Sequence, residues 1–194
     1  MSRFISFIMV LSISGQLLAQ TDIAFENGDY KSVEVFDLWS ESPFAKGLMA
    51  GNCAVIDNHL KDESDPSEKI LAVQRSRFGS NTFGVKVDLQ QPFRLTASPR
   101  EVSVLVHRPY SGRVMIAGLG RRVDKPCQSP HTVQFTMISK TDIPADSWQK
   151  VPVMVKGDPG VIIYSVVIVP DCESPHDYKE DGICYIDDIK VAEY

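Results

Sequence analysis

The chain has 194 residues, 43% of them hydrophobic, and 20 basic against 25 acidic side chains give a formal net charge of −5. That is enough apolar material for one domain with a sizeable core and little for two. The acidic balance and the scatter of the basic residues exclude a nucleic-acid backbone as partner, and no stretch after the first twenty residues is apolar enough to span a bilayer.

The chain opens on "RFISFIMVLSISGQLLAQ" (3–20), one arginine followed by an apolar run of signal-peptide length that ends in small and polar residues. It predicts export, with cleavage near Ala19 or Gln20, no lipid-anchor cysteine at that point, and a mature domain over 21–194 in a secreted, periplasmic or cell-surface location. Next comes "IAFENGDY" (23–30), where Glu26, Asn27 and Asp29 crowd a glycine. From there the apolar segments are short, β-branched and bounded by Gly, Pro, Asn or Asp, with little helical periodicity. Ten strands are predicted, at 32–39, 53–58, 69–76, 83–89, 101–108, 113–120, 132–139, 149–156, 161–169 and 184–192. Strand-by-strand alternation, as in "FGVKVDL", gives one buried and one wet face. "VIIYSVVIV" has no polar face and should lie centrally, covered on both sides. The pattern implies an all-β, two-sheet antiparallel sandwich. Long polar loops at 61–68 and 170–182 are where such folds carry binding residues.

Cys53, Cys127, Cys172 and Cys184 all fall in the exported part, where an even count favours disulfides. Cys172 and Cys184 bracket one polar loop, so 172–184 is the simplest pairing and leaves 53–127. A loop of that length closed by a disulfide is worth ~3 kcal/mol on the chain-entropy account. Tetrahedral metal spacing such as CxxC is absent.

The closing strand "CYIDDIKVAEY" places Asp187 and Asp188 back to back, so alternation must turn one of them inward. Asp187 shares parity with Ile189 and Val191 and is the inward candidate. A carboxylate there needs a cation, an arginine or backbone donors. Two readings stand side by side: a Ca²⁺ ion bridging it to the oxygen-rich stretch around Glu26, or a turn cap or arginine pair.

The ending "YIDDIKV", the opening "FENGDY" and the middle segment "VIDNHLKDESDPSEKILAVQRS" resemble the galactose-binding-domain-like jelly rolls that serve as carbohydrate-binding modules and accessory domains of secreted polysaccharide-degrading systems. The resemblance spans most of residues 21–194. It implies a jelly-roll sandwich, a glycan or polysaccharide partner within a larger secreted or surface assembly, and a structural Ca²⁺ with Glu26 and Asp187 as ligands. The cysteines depart from that pattern.

Sugar recognition uses flat apolar faces with planar hydrogen-bond donors. The candidates are Trp39, Arg75, Arg77 with Phe78, and His107, Arg108 and Tyr110, the two arginine-bearing stretches ending strands that would meet at one rim. Each has a plainer reading: Trp39 as core, the arginines as surface ion pairs, Tyr110 as a turn residue. Trp148 reads as core. There is no GxSxG elbow, HExxH or phosphate-binding glycine loop, and His59 near Asp57 and Asp62, like His176 beside Asp177, reads as a solvated loop histidine. No catalytic residue is assigned. The alternatives to non-catalytic glycan binding are a polysaccharide lyase or glycoside hydrolase on the same scaffold and a secreted protein-interaction domain.

Overall fold

The computed structural model describes residues 21–43, 51–75, 80–173 and 181–193. Its strands are β1 (Thr21–Ile23), β2 (Tyr30–Asp37), β3 (Cys53–Asp57), β4 (Lys69–Arg75), β5 (Phe83–Arg94), β6 (Arg100–His107), β7 (Met115–Arg122), β8 (Thr132–Ile138), β9 (Gln149–Val155), β10 (Val161–Val169) and β11 (Gly182–Glu193). One sheet has the order β3-β4-β11-β6-β9, with β1 pairing the far end of β11; the other has the order β2-β5-β10-β7-β8, and every ladder is antiparallel. Among the described residues no helix is long and apolar enough to cross a membrane.

The core is built from the alternating residues the sequence displays. Val85, Val87 and Leu89 of β5 face Val102, Val104 and Val106 of β6 within one buried cluster that spans the two sheets. β10 sits at the centre of the five-stranded sheet, as its unbroken apolar run requires. Ile163, Val166 and Ile168 enter the main core, while Val167 and Val169 join Met115, Ala117 and Leu119 in a second cluster on the outer face. Gly84 lets β5 and β10 approach: a Cβ there would stand 2.0 Å from the Ile168 carbonyl oxygen. The sequence pattern missed β1, which is only three residues long, and stopped β5 five residues early at Leu89, because Pro92 breaks the pattern.

Two expectations are corrected. All four cysteines are free, with none at disulfide distance from another. The reason is the sheet assignment. Cys172 follows β10 and packs against the cluster on the outer face of its sheet, whereas buried Cys184 faces the core between the sheets from β11; Cys127 is exposed beyond β7, while Cys53 packs against the core from β3 in the other sheet. A short loop in sequence therefore joins two layers about 10 Å apart.

The second correction concerns Asp187. It is buried, at 1% exposure, but it does not share a face with Ile189 and Val191. The β11–β6 register shifts between Asp187 and Lys190, and Asp188 adopts φ 49°, so a bulge resets the alternation. Ile186 and Ile189 both enter the core. Asp187 is opposite Leu105, on the outer side of the sheet.

Candidate functional site

The outer face of the six-stranded sheet is not uniformly solvated, because the segment after β3 folds back over it. Asp65 is buried at 2% exposure, and its carboxylate accepts from the Asn58 amide at 3.2 Å and the Ser67 hydroxyl at 2.7 Å. Asp187 lies against this segment. Burial pushes the Asp187 carboxyl up to about 8, opposed by the Ser67 hydroxyl and the Asp188 backbone N–H and reinforced by the neighbouring Asp65 carboxylate. Its Oδ1 is buried without a hydrogen-bond partner. Glu26 reaches the same segment from the other end of the fold: its Oε1 accepts the backbone N–H groups of Glu68 at 2.5 Å and Lys69 at 3.0 Å. Glu26, Asp65 and Asp187 thus all converge on residues 65–69, although among the described residues no group of three or more His, Cys, Asp or Glu side chains is close enough to hold a metal by itself.

Beside this segment lies an aromatic cluster. The His59 ring meets Tyr185 edge-on at 5.2 Å, and His107 meets Trp148 at 5.5 Å and Tyr185 at 6.1 Å. The buried Trp148 indole donates to the Leu60 carbonyl at 3.0 Å, which fastens the loop to β9. Burial lowers the His107 imidazole from its usual value; the Asp146 and Asp62 carboxylates oppose the shift, and His59 adds to it.

Two registered rows continue across the same face towards the free edge. One runs Ala54–Ala72–Tyr185 across β3, β4 and β11. The other pairs Gln74 with Ile183, and Gln74 N–H bonds to the Asn52 carbonyl at 2.9 Å. Because the two alanines are short while their neighbours are long, the face is recessed into a hollow of about 370 Å³. That lies within the roughly 300–1,000 Å³ of small-ligand sites. Its floor is Ala54, Ala72 and Ile183, the last 51% exposed. Along one side the amides form a rail: Asn52 Nδ2 donates to Gln74 Oε1 at 3.2 Å, and Gln74 Nε2 donates to Asp181 Oδ2 at 3.3 Å.

The residues expected at a sugar site are distributed unevenly around this geometry. Trp39 is 50% exposed, just beyond β2 in the other sheet. The backbone of Arg75 is paired with Gly182 at the rim of the hollow; its side chain and Arg77 lie outside the described residues. β6 ends at His107 on the opposite side of β11, so the two strand ends do meet at one rim, with β11 between them. His107 is taken up by the aromatic cluster. Tyr110 closes the end of the core: its hydroxyl is 3.4 Å from Cys184 Sγ, and its ring lies so close to Gly182 that a Cβ there would be 3.0 Å from it. Arg108 is fully buried and structural. Its guanidinium donates to the carbonyls of Pro170, Gly112 and Ile143, the last at 3.0 Å. Asn52, Gln74 and Asp181 escaped the sequence reading, since amides and alanines announce nothing until three strands are aligned.

No family model matches the chain, and no curated protein sequence matches it. Solved structures do match in fold. The CBM22-1–GH10 modules of endo-1,4-beta-D-xylanase 10B from Clostridium thermocellum, complexed with xylohexaose, align at TM-score 0.56 and 10% identity over 90% of this chain and 28% of that one. The CBM22-2 xylan-binding domain of Xyn10C from Paenibacillus barcinonensis aligns at 0.54 and 10% identity over 89% of this chain and 98% of that one. A family 11 carbohydrate-binding module from Clostridium thermocellum, in complex with a beta-1,3-1,4-mixed-linked tetrasaccharide, aligns at 0.50 and 8% identity over 90% and 96%. The fold is the jelly-roll β-sandwich of carbohydrate-binding modules.

Proposed function

We propose that the protein is an exported, non-catalytic glycan-binding module whose ligand enters the hollow on the outer face of β3, β4 and β11. The observation that carries this is the hollow itself, an apolar floor beside a rail of amide and carboxylate groups. Sugar rings present the complementary pair, a C–H face and a belt of hydroxyls. The fold shared with xylan- and glucan-binding modules supports the same reading. Retardation of the mature protein on polysaccharide-containing native gels tests it, with xylan and mixed-linkage glucan as first probes. Wild type should be retarded and Ala72→Arg, which fills the hollow from an outward position, should run freely. Equal retardation of the two proteins, or none on any of a broad polysaccharide panel, would refute the assignment.

A Ca²⁺ ion belongs to the same reading. The residues present fit it: two adjacent buried carboxylates, one with an unsatisfied oxygen, are what a hard divalent cation relieves. Asp65 and Asp187 would hold it, with backbone carbonyls completing a shell that side chains alone do not fill, and Glu26, the other expected ligand, would brace the segment through the Glu68 and Lys69 backbone N–H groups that it accepts. Its role is structural, tying the segment 58–68 to both ends of the fold. The export leader over residues 1–20 lies outside the described residues, and mass spectrometry of the processed N-terminus checks it.

A further inference from the structure

The row that makes the floor of the hollow does not stop at Tyr185. Tyr185 pairs with His107 of β6, and Trp148, next to the Gln149 that pairs with Val106, stands beyond it, so three rings continue the line of Ala54 and Ala72. One half of the segment after β3 covers them. That segment is closed at its neck, where the Asn58 N–H donates to the Glu68 carbonyl at 2.8 Å. Its second half is well tied: the Ser67 hydroxyl donates to Asp65 at 2.7 Å, and Glu26 accepts from the Glu68 and Lys69 backbone. Its first half, 59–64, is mostly exposed and carries Leu60 as its one apolar side chain. It is held to the rings by His59, edge-on to Tyr185 at 5.2 Å, and by the Leu60 carbonyl, which accepts the Trp148 indole N–H at 3.0 Å. So little buried apolar surface marks a segment that opens well before the whole fold does.

His107 lies under that half. Its Nδ1 is buried and has no hydrogen-bond partner. A neutral ring tolerates this better than an imidazolium, whose two nitrogens are both donors, because a charged N–H without an acceptor costs more than a neutral atom without a partner. The groups around the ring are His59 and Asp62 of the cover, Tyr185 of β11, Trp148, and Asp146 of the loop before β9. Burial lowers the imidazole from its ordinary value and outweighs the two carboxylates, which favour the charged ring, while His59 opposes it. With the cover lifted, water reaches Nδ1 and the ring regains its ordinary value. Protons therefore bind the open form more tightly than the closed one.

We propose that residues 59–64 form an acid-released cover: a proton on His107 lifts them and bares Tyr185, His107 and Trp148 in line with Ala54 and Ala72. The switch is independent of what the hollow binds.

Hydrogen exchange of the Trp148 indole N–H in nitrogen-15-labelled mature protein, at a fixed Ca²⁺ concentration, tests it, since that proton leaves the Leu60 carbonyl when the cover lifts. Trp39→Phe leaves Trp148 as the sole indole. Dividing by the exchange of N-acetyltryptophanamide at each pH removes the chemical pH dependence. Between about pH 7.5 and 5 the protection of this proton should fall, by at most about tenfold per pH unit for a single proton, while the backbone amides of β10 stay more protected at every pH. In His107→Gln the fall should vanish. Asp62→Asn keeps an oxygen for the Ser64 and Asp65 N–H groups and should deepen the fall, because the closed form loses a carboxylate that favours the charged ring. Constant protection over that range, an equal fall in His107→Gln, a shallower fall in Asp62→Asn, or a fall shared equally by the β10 amides would overturn the cover.

Discussion

Replacing Arg108 by alanine should cost more than any other single truncation in this protein, because the arginine acts as an internal clamp. It is 0% exposed and lies where three segments meet outside the strands, two of them joined only by the Gly112–Ile143 bridge. Nη1 serves the Pro170 carbonyl at the end of β10; Nη2 serves Gly112 in the β6–β7 connection and Ile143 in the loop before β9, at 3.0 Å. Gly112 and Ile143 also bond to each other, at 2.7 and 3.2 Å, so each of their carbonyls keeps one partner when the guanidinium goes. An acceptor left buried and unserved costs about 1–3 kcal/mol, and each weakened one about 1 kcal/mol. The space vacated by a long buried side chain adds about 2 kcal/mol. Arg108→Ala should therefore lose about 5–7 kcal/mol, a large part of the 5–15 kcal/mol typical of a domain. Chemical denaturation with a shared slope measures it. Arg108→Lys should give little rescue, because one ammonium cannot span carbonyls on three separate segments. Arg108→Met, which refills the volume, should lose about 1–2 kcal/mol less than alanine. A loss below about 1 kcal/mol in Arg108→Ala would show that these segments hold together without the clamp.

Chelation by EDTA should lower the melting temperature of wild type and Ca²⁺ should restore it, whereas Asp187→Asn should be indifferent to both; a wild type that ignores EDTA and Ca²⁺ would remove the ion. On acidification His107 should subtract from stability while Asp187, whose carboxyl is raised by burial, adds to it, so the His107 contribution is read as the difference between wild type and a His107 variant. The folded-state pKa of His107 is lowered by burial, so the unfolded chain binds that proton first, and the stability it supplies falls as pH drops below the usual imidazole value of about 6.5. His107→Gln should flatten that part of a melting curve series between about pH 7 and 5. Thiol titration should find four free cysteines in denaturant, with exposed Cys127 reacting before unfolding and buried Cys184 only after it, and dithiothreitol should leave the melting temperature unchanged. Gly84→Ala should prevent normal β5–β10 pairing, since its methyl would meet backbone at 2.0 Å; soluble expression and far-ultraviolet circular dichroism read that out.

Much of this architecture is local chemistry. A period-2 pattern of β-branched residues needs no partner to declare that one face will be buried, so "FGVKVDL" and "EVSVLVH" announced both strand and core, and the two-sided run of β10 announced its central place. The presence of a buried carboxylate in the last strand was equally legible, because two adjacent aspartates cannot both face water in a regular strand. What a chain of letters cannot express is which strands become neighbours and where the ladder slips. The left-handed turn at Asp188 moved Asp187 to the outer side of its sheet, and the assignment of β10 and β11 to different layers separated two cysteines that are near in sequence. The hollow belongs to the same category: Ala54, Ala72 and Ile183 are unremarkable in sequence and become a floor only when three strands from distant parts of the chain are hydrogen-bonded in one register, a collective property of long-range pairing.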